Sequence, residues 1–173
     1  MFNIGFDCNV VDMTAILKKY PLIGGSLAYF LSVLIILIKK KGANLTVELD
    51  GETCQDGKLL LCALANGAFC GGGLKSAPDA SVHDGKMDVN IVYNTSRLNF
   101  LHKFPHYAKG TFPQVRNIEK VILSKQCRQA VVTPRTGSMR LCTDGEIVNA
   151  ETITFEVVPN AFSFVIPANP SNG

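Results

Sequence analysis

Residues 66–89, NGAFCGGGLKSAPDASVHDGKMDV, decide how the rest of the chain is interpreted. This stretch holds a proline, three aspartates and a tight group of glycines: Gly67, Gly71, Gly72, Gly73, Pro78, Asp79, Asp84 and Asp88. An apolar run over 59–65 precedes it, and an alternating run over 87–93 follows it. Two strands are therefore predicted to converge on a loop that its glycines make costly to order. Such a long loop inside a compact chain is more often functional than idle.

The glycine group does not match a phosphate-binding loop. A Walker A motif that began at Gly67 would need a lysine after its second glycine, and Gly72-Gly73 stands there instead. The dinucleotide-binding pattern fails because Ser76 occupies the place of its third glycine, and no helix is predicted to follow. The sequence therefore predicts no nucleotide loop here. The alternative is that the glycines only allow tight turns between strands.

The three aspartates of the loop point to a hard cation. An EF-hand frame fails, because Asp84 stands where that loop requires glycine and the closing glutamate is missing. A looser Mg²⁺ site remains, in which a sharp turn at Asp84-Gly85 lets one carboxylate and nearby backbone carbonyls face a single ion. The competing interpretation is a plain Asp-Gly turn that leads into the next strand.

Three further features carry possible chemistry. Asp144-Gly145-Glu146 separates two predicted strands, so it is either a hairpin turn or a general base held at a rigid strand end. Asp7, beside Gly5, either supports the central loop or caps the next helix. The histidines have no partner at metal-ligand spacing and are assigned to the surface or to a helix: His83, His102 and His106.

Composition limits the class of protein. A hydrophobic fraction of 47% and a charged fraction of 18% indicate a chain with a real core, and 173 residues suit a single domain. A net charge of +3 gives no case for nucleic acid as a partner. The six cysteines form no C-x-x-C pair, which favours reduced thiols in a cytosolic protein.

The first part of the chain is predicted to hold one strand and two helices. A strand is expected over 2–11, a short helix over 12–19 and a break at Pro21. Residues 22–38 carry no charge and end in three lysines, which predicts a helix from about Ser26. The run is too short and too diluted by glycine to favour a membrane span. It is either buried all round by a sheet, or it roofs an apolar cleft near a membrane surface.

The remainder is predicted to be mostly β. Turns are expected at Asp50-Gly51 and Asp56-Gly57, and one further helix is expected from an N-cap at Ser96 to Gly110. Strands are predicted over 45–49, 59–65, 87–93, 120–123, 129–133, 138–143, 152–158 and 162–166. The fold class is therefore mainly β with flanking helices (α+β), a β-sandwich-like domain with two or three helices packed outside.

Several motifs together resemble a known family. They are residues 66–89, GFDCNV at 5–10, DGE at 144–146 and VVPNAFSFVIP at 157–167. This set is similar to the C-terminal domain of bacterial diacylglycerol kinase-like lipid kinases, with sphingosine and ceramide kinases as more distant relatives. The resemblance covers residues 2 to 167. It implies a two-domain enzyme that transfers the γ-phosphate of ATP to a lipid hydroxyl with Mg²⁺.

The resemblance also implies that two domains bind the two substrates. The nucleotide-binding domain of the family, with its GGDGT motif, is absent from this sequence. ATP is therefore expected on a missing N-terminal domain and the lipid on this C-terminal one, and the fragment alone is expected to be inactive. The protein would be cytoplasmic, peripheral at the membrane and a possible homodimer, with diacylglycerol or a related lipid alcohol as substrate and no nucleic acid partner. The alternative is a non-catalytic lipid-binding or interaction module on the same fold.

The resemblance assigns roles to individual residues. A structural Mg²⁺ site falls on the Asp84 carboxylate and the backbone carbonyls of Ser81 and Lys86. The proton acceptor falls on Glu146, with Asp144 close by. One departure is the short segment before GFD, where relatives carry a longer one, and this predicts a truncated first strand and a perturbed sheet edge.

Overall fold

A computed structural model describes residues 1–21, 23–39, 42–70 and 73–163 of the chain. Most of the predicted strand over 162–166 lies outside these residues, as do Gly71, Gly72, Lys40 and Lys41. The described residues form one nine-stranded sheet and three α-helices. The predicted β-sandwich-like domain with helices outside is confirmed.

The strands and helices have the following bounds. The strands are β1 (Phe2–Gly5), β2 (Ala43–Leu49), β3 (Glu52–Ala65), β4 (Met87–Tyr93), β5 (Ile122–Cys127), β6 (Gln129–Pro134), β7 (Met139–Thr143), β8 (Glu146–Ala150) and β9 (Ile153–Glu156). The helices are α1 (Phe6–Leu17), α2 (Gly25–Lys39) and α3 (Arg97–Lys109), and short 3-10 turns span Phe112–Gln114 and Ile118–Lys120. The strand order is β8-β7-β1-β3-β2-β6-β9, with β4 between β3 and β5, and every pairing is antiparallel.

Strand β3 connects the two parts of the sheet. Its first half pairs with β2, and its second half pairs with both β1 and β4. The turn predicted at Asp56-Gly57 is wrong, because β3 continues through it and Asp56 pairs with Thr46 of β2. The hydroxyl of Thr46 also donates a hydrogen bond of 2.9 Å to the Asp56 carboxylate. An Asp-Gly pair therefore lies within a strand here, with Gly57 at a φ of +124°.

Two apolar cores lie on opposite faces of β3. Leu59, Cys62 and Leu64 point into a core enclosed by the curled sheet, and Leu60, Leu61 and Ala63 point into a second core beneath the helices. A register shift between Leu59 and Leu61 places two successive leucines on the helix side. The apolar run over 59–65 is nearly continuous because both faces of this strand are covered.

The first strand and helix differ from their predicted bounds. The strand predicted over 2–11 ends at Gly5, and α1 begins at Phe6 rather than at residue 12. Gly5 has φ +98° and ψ −112°, a conformation that disfavours a side chain, and a Cβ there would lie 2.7 Å from the carbonyl oxygen of Leu60. Strand β1 is an interior strand, paired with β3 and β7, so no perturbed sheet edge is seen at this strand.

Helix α2 packs mainly against α1, and one of its faces joins the core beneath the helices. Val33, Ile36 and Leu37 are buried in the core beneath the helices, whereas Leu27 and Phe30 are exposed. The helix is therefore not buried all round, and it roofs the outer face of the sheet. Among the helices of the described ranges, none is long and apolar enough to cross a bilayer.

Helix α3 agrees with its predicted ends. The hydroxyl of Ser96 accepts a hydrogen bond of 3.2 Å from the backbone N–H of Asn99, and Gly110 follows the helix at a φ of +71°. The strand predicted over 120–123 begins two residues later, because a 3-10 turn occupies its start. Strand β8 was not predicted.

Replacing Gly5 by alanine should lower stability strongly. The left-handed backbone and the Leu60 carbonyl both oppose a Cβ, so we expect a loss of about 3 kcal/mol or more in the free energy of unfolding. Gly51 is the matched control, because its φ of +84° is also positive while nothing lies within 4 Å of its added Cβ. Gly51→Ala should cost only about 1 kcal/mol. Urea denaturation of both variants measures the difference, and equal losses would contradict the close approach at Gly5.

Candidate functional site at one end of the sheet

Four neighbouring strands have ends that lie side by side. Phe2 of β1 pairs with Thr143 of β7 and with Leu64 of β3, and Leu64 pairs with Val89 of β4. The turn after β7 and the corner before β4 therefore lie at the same end of the sheet. Since adjacent strands are about 4.8 Å apart, Thr143 and Val89 are separated by roughly 14 Å across three strand spacings.

The Asp144-Gly145 turn joins β7 to β8. Both residues have positive φ, 45° for Asp144 and 100° for Gly145, as a two-residue hairpin turn requires. The hairpin-turn interpretation is therefore confirmed. The carboxylate of Asp144 lies 2.8 Å from the amino group of Met1, and Asp144 and Glu146 are both exposed to solvent. Two carboxylates are thus presented on a short, well-paired hairpin.

A cavity of about 300 Å³ opens beside this turn. Asp144, Gly145 and Asp7 line it together with residues from β1, α1, α2, the central loop and β7: Met1, Asn3, Val10, Val11, Tyr29, Phe69, Cys70, Leu74 and Cys142. Most of these walls are apolar, with a carboxylate at each of two places. The structure thus brings Asp7 and Asp144 to one cavity, and it leaves Glu146 beside the cavity rather than in its lining.

Asp7 lies in the first turn of α1, where it does not cap the helix. Burial raises the pKa of its carboxyl group from an ordinary value of 3.8 to about 6. Burial, followed by the nearby Asp7 charge, also raises the pKa values of Tyr29 and Tyr107. Asp7 is therefore close to groups on both α2 and α3. The sequence analysis did not predict that Asp7 lines a cavity. A carboxylate between the apolar residues Phe6 and Cys8 could have indicated it.

A buried asparagine ties the central loop to the sheet. Asn90 of β4 donates a hydrogen bond of 2.8 Å from its side-chain amide to the carbonyl of Ser76, and it accepts one from the hydroxyl of Ser124. The backbone N–H of Lys75 donates to the carbonyl of Ala108 at the end of α3, at 2.9 Å. The loop is thereby fixed from two sides. The signal for this role was a polar residue in the middle of the buried strand MDVNIVY.

The glycine group takes part in a tight turn where it is described. Cys70 and Leu74 form an isolated antiparallel bridge, and Gly73 between them has a φ of +114°. The idea that these glycines allow a sharp change of direction is supported at Gly73.

The corner at Asp84-Gly85 is a tight turn before β4. Asp84 accepts a hydrogen bond of 2.9 Å from the backbone N–H of Lys86, and Gly85 has a φ of +68°. The side-chain amide of Gln126 lies 3.4 Å from the other carboxylate oxygen of Asp84. Burial, opposed by a hydrogen bond from Gln126 and reinforced by the charges of Asp84 and Asp79, raises the pKa of Asp88. Negative charge is thus concentrated at this corner.

The corner offers oxygen ligands that suit a hard cation. Within the described parts of the chain, no group of three or more His, Cys, Asp or Glu side chains is placed to hold a metal. An ion here would therefore depend on one carboxylate and backbone carbonyls. Mg²⁺ accepts few protein ligands and keeps several waters, so the Asp84 carboxylate with the carbonyls of Ser81 and Lys86 fits such an ion chemically.

Comparison with known proteins gives a consistent result. The family model described as the YegS C-terminal NAD kinase beta sandwich-like domain matches residues 2–166. A diacylglycerol kinase of Mycobacterium tuberculosis is 24% identical over 163 residues, which cover 94% of this chain and 50% of that protein. A Shewanella frigidimarina protein named "Probable lipid kinase YegS-like" is 29% identical over 172 residues, which cover 95% of this chain and 50% of that protein. The chain thus spans about half the length of the curated relatives it matches.

Solved structures agree on the fold. A structure described as a diacylglycerol kinase from Bacillus anthracis str. Sterne is similar over 90% of this chain and 46% of that one, with a TM-score of 0.53 and 13% identity. A second structure from the same organism covers 90% of this chain and 50% of that one, with a TM-score of 0.58 and 18% identity. At these identities the likeness concerns the fold alone.

Asp7→Asn should raise stability at neutral pH and leave it nearly unchanged in acid. Because the pKa of Asp7 is higher in the folded state than in the unfolded state, the contribution of Asp7 to folding stability is fully present below pH 4. It is lost as the pH rises through about 6 and the buried carboxyl group becomes charged. The cost of the charged form at pH 7.5 is on the order of 2 to 3 kcal/mol, since one pKa unit corresponds to about 1.4 kcal/mol. Melting temperatures of wild type and variant at pH 3.5 and pH 7.5 measure this.

The control is Asp12→Asn, which removes an exposed carboxylate on the same helix as Asp7. The Asp12 carboxylate lies 2.7 Å from the guanidinium group of Arg140 on β7. A surface ion pair of this kind is worth at most about 1 kcal/mol. A destabilised Asp7→Asn protein at pH 7.5 would contradict the burial argument.

Proposed function

Because this chain belongs to the family of YegS C-terminal domains, we propose that it is the lipid-side domain of an ATP-dependent lipid kinase. The acceptor is the hydroxyl group of diacylglycerol or of a related lipid alcohol. One observation carries the proposal, namely the Asp144-Gly145 turn that lines an apolar-walled cavity of about 300 Å³. A carboxylate beside an apolar cavity suits an acceptor with one polar end and a hydrocarbon remainder.

The proposed reaction is a direct phosphoryl transfer. The lipid hydroxyl oxygen bonds to the γ-phosphorus of ATP, the bond between that phosphorus and ADP breaks, and the hydroxyl proton passes to a carboxylate. Glu146 is the proposed proton acceptor, and Asp144 on the same turn holds the hydroxyl in place. Both side chains are exposed at the end of the sheet, which supports the proposal that a second domain would reach them there. Such transfers depend mainly on positioning and on charge stabilisation.

Mg²⁺ and ATP are part of the proposal. The Asp84 carboxylate and the carbonyls of Ser81 and Lys86 would hold a structural Mg²⁺, which would neutralise the charge at the corner before β4. ATP is proposed to lie on a separate nucleotide-binding domain, since the glycine group of this chain matches no phosphate loop. The curated relatives support this division, because this chain accounts for only 50% of their length.

A lipid acceptor must be reached from a bilayer, so the proposal includes peripheral contact with a membrane. Leu27 and Phe30 on α2 are exposed, at 48% and 57%, and support such a contact. Exposed apolar side chains on a helix that roofs the sheet are suited to the boundary between headgroups and acyl chains.

Glu146→Gln should lower turnover in the protein that carries both domains. Loss of the proton acceptor is expected to reduce kcat by about 10²- to 10⁴-fold while ATP binding persists. The measurement is transfer of labelled phosphate from ATP to short-chain diacylglycerol, with ATP affinity determined in parallel. Glu151→Gln, which alters an exposed glutamate beyond β8, is the control and should keep wild-type turnover.

Equal turnover in Glu146→Gln and wild type would remove Glu146 from the mechanism. If wild type bound lipid without any transfer, while its ATP site was filled, the chain would instead act as a non-catalytic lipid-binding or interaction module.

Asp84→Ala should abolish stabilisation by Mg²⁺. A metal at one hundred times its dissociation constant stabilises the folded state by about 2.7 kcal/mol, which corresponds to a rise of roughly 5 to 10 °C in the melting temperature. We expect this rise in chelator-treated wild type after Mg²⁺ is added, and none in Asp84→Ala. Asp12→Asn, which lies on α1 away from this corner, should respond to Mg²⁺ as wild type does. A response of Asp84→Ala equal to that of wild type would refute the site.

A further inference from the structure

A second cavity lies where the sheet divides into two branches. Strands β1 and β2 pair with the same edge of β3, because β4 occupies the opposite edge beside both of them. The end of β1 and the start of β2 nearly meet, since a Cβ at Gly5 would lie 3.5 Å from the backbone nitrogen of Ala43. From this point one branch continues through β7 and β8, and the other through β6 and β9. We call the space between the two branches the fork cavity.

The fork cavity has an apolar floor and a polar rim. Its volume is about 610 Å³, and it shares no lining residue with the cavity beside Asp144. The floor consists of buried side chains from four strands: Ile4, Leu45, Leu59 and Met139. The neutral part of the rim carries amides and hydroxyl groups: Asn9, Asn44, Asn94, Thr136 and Ser138. A cavity of this size and mixed lining suits a small polar ligand.

The charged part of the rim is positive. Lys58 and Arg140 line the cavity, and none of its described lining residues is an aspartate or a glutamate. Two carboxylates lie near these cations, and an arginine holds each of them: Asp12 lies 2.7 Å from Arg140, and Asp56 lies 2.6 Å from Arg135. Lys58 forms no ion pair with any residue that the structure describes. One cation is therefore in excess, which favours an anionic ligand.

Arg140 keeps hydrogen-bond donors for such a ligand. A guanidinium group has five N–H bonds in a planar fork, and the contact with Asp12 is made by one terminal nitrogen. The other N–H bonds of a guanidinium match the spacing of phosphate oxygens, and a lysine ammonium adds a compact charge. Lys58 and Arg140 together are thus suited to a phosphate group.

The first turn of α1 adds to the positive potential. Cys8 and Asn9 of this turn line the fork cavity. The first backbone N–H groups of a helix have no partner within the helix, and its dipole places partial positive charge there. Asp7 of the same turn lines the other cavity, so its carboxylate is not part of this rim.

The neutral rim groups suit hydroxyl groups on the same ligand. Side-chain amides and hydroxyls both donate and accept hydrogen bonds, as the hydroxyl groups of a polyol do. A simple anion would use only the donors of the rim. The combination of cations with amides and hydroxyls therefore matches a ligand that carries a phosphate and hydroxyl groups together.

We propose that the fork cavity binds a phosphate ester that carries hydroxyl groups, with the phosphate at Lys58 and Arg140 and the hydroxyls on the amide rim. Glycerol phosphate has this chemistry, either as a free molecule or as the headgroup of a lipid. The site is separate from the carboxylates of the proposed phosphoryl transfer, and the proposal does not rest on that transfer.

The test titrates glycerol 3-phosphate, glycerol and inorganic phosphate into the 173-residue chain and follows the backbone amides by NMR. Glycerol 3-phosphate should shift the amides of Asn9, Asn44 and Lys58 and leave that of Asp144 unchanged. It should bind about fivefold or more tightly than either glycerol or inorganic phosphate, because only it meets both parts of the rim. Equal binding of either fragment, or shifts confined to other parts of the chain, would overturn the proposal.

Variants of Lys58 test the charge directly. Lys58→Gln should weaken binding of glycerol 3-phosphate about fivefold or more, and Lys58→Arg, which keeps the charge, should stay within about twofold of wild type. Lys120→Gln removes an exposed lysine outside the cavity and is the matched control, with wild-type affinity expected. Melting temperatures confirm that each variant is folded. Wild-type affinity in Lys58→Gln would refute the role of this lysine.

A lipid arm identifies the source of the ligand. Dioctanoyl phosphatidylglycerol, whose headgroup carries a phosphate and two hydroxyl groups, is titrated below its micellar concentration. If it shifts the same amides as glycerol 3-phosphate and loses affinity in Lys58→Gln, the site takes a lipid headgroup. If glycerol 3-phosphate binds and the lipid does not, the site takes a soluble phosphate ester. If neither binds at the fork cavity, the proposal is wrong.

Discussion

The close approach of Gly5 to the carbonyl of Leu60 is the constraint on which the rest of the structure depends. A Cβ at Gly5 would lie 2.7 Å from that oxygen, so only glycine lets β1 end against β3 at this point. The positive φ then turns the chain directly into α1, which packs Phe6 and Val10 on the outer face of the sheet. The same turn carries Asp7 into the cavity beside the β7–β8 turn. The contact between Gly5 and Leu60 thus determines where α1 begins and therefore where Asp7 lies in the candidate site.

The two ends of the central loop are held by the sheet rather than by the loop itself. Leu64 and Val89 pair across β3 and β4, and Asn90 holds the carbonyl of Ser76 from below. A loop that begins and ends on adjacent strands brings the Asp84 corner to the same end of the sheet as the Asp144 turn. This arrangement explains how residues far apart in the sequence come to lie at the same end of the sheet.

Local signals predicted much of the fold. Ser96 and Gly110 marked the ends of α3, and the Asp50-Gly51 and Asp144-Gly145 pairs marked hairpin turns, because each has a direct backbone cause. The Asp56-Gly57 pair carries the same local signal, yet pairing with β2 keeps it within β3. Tertiary pairing of this kind is not encoded in a short stretch of sequence.

The site was predicted less completely, for a related reason. The proposed roles of Asp144, Glu146 and Asp84 come from the resemblance of their motifs to a family and stay predictions, whereas the places of Asp7 and Asn90 depend on what packs around them. The strand predicted over 2–11 concealed the start of α1 at Phe6, and with it the position of Asp7 on the cavity wall. Only the assembled sheet, helices and loop show that Asp7 and Asp144 line one cavity.

The most direct test of the account uses a protein in which this chain is joined to the proposed nucleotide-binding domain, and a panel of lipid alcohols that includes diacylglycerol, monoacylglycerol, sphingosine and ceramide. Each is incubated with labelled ATP and Mg²⁺, and labelled lipid is separated and counted. The account predicts that label passes from ATP to the hydroxyl of at least one neutral lipid alcohol. Absence of label in every lipid, in a protein shown to bind ATP, would contradict it.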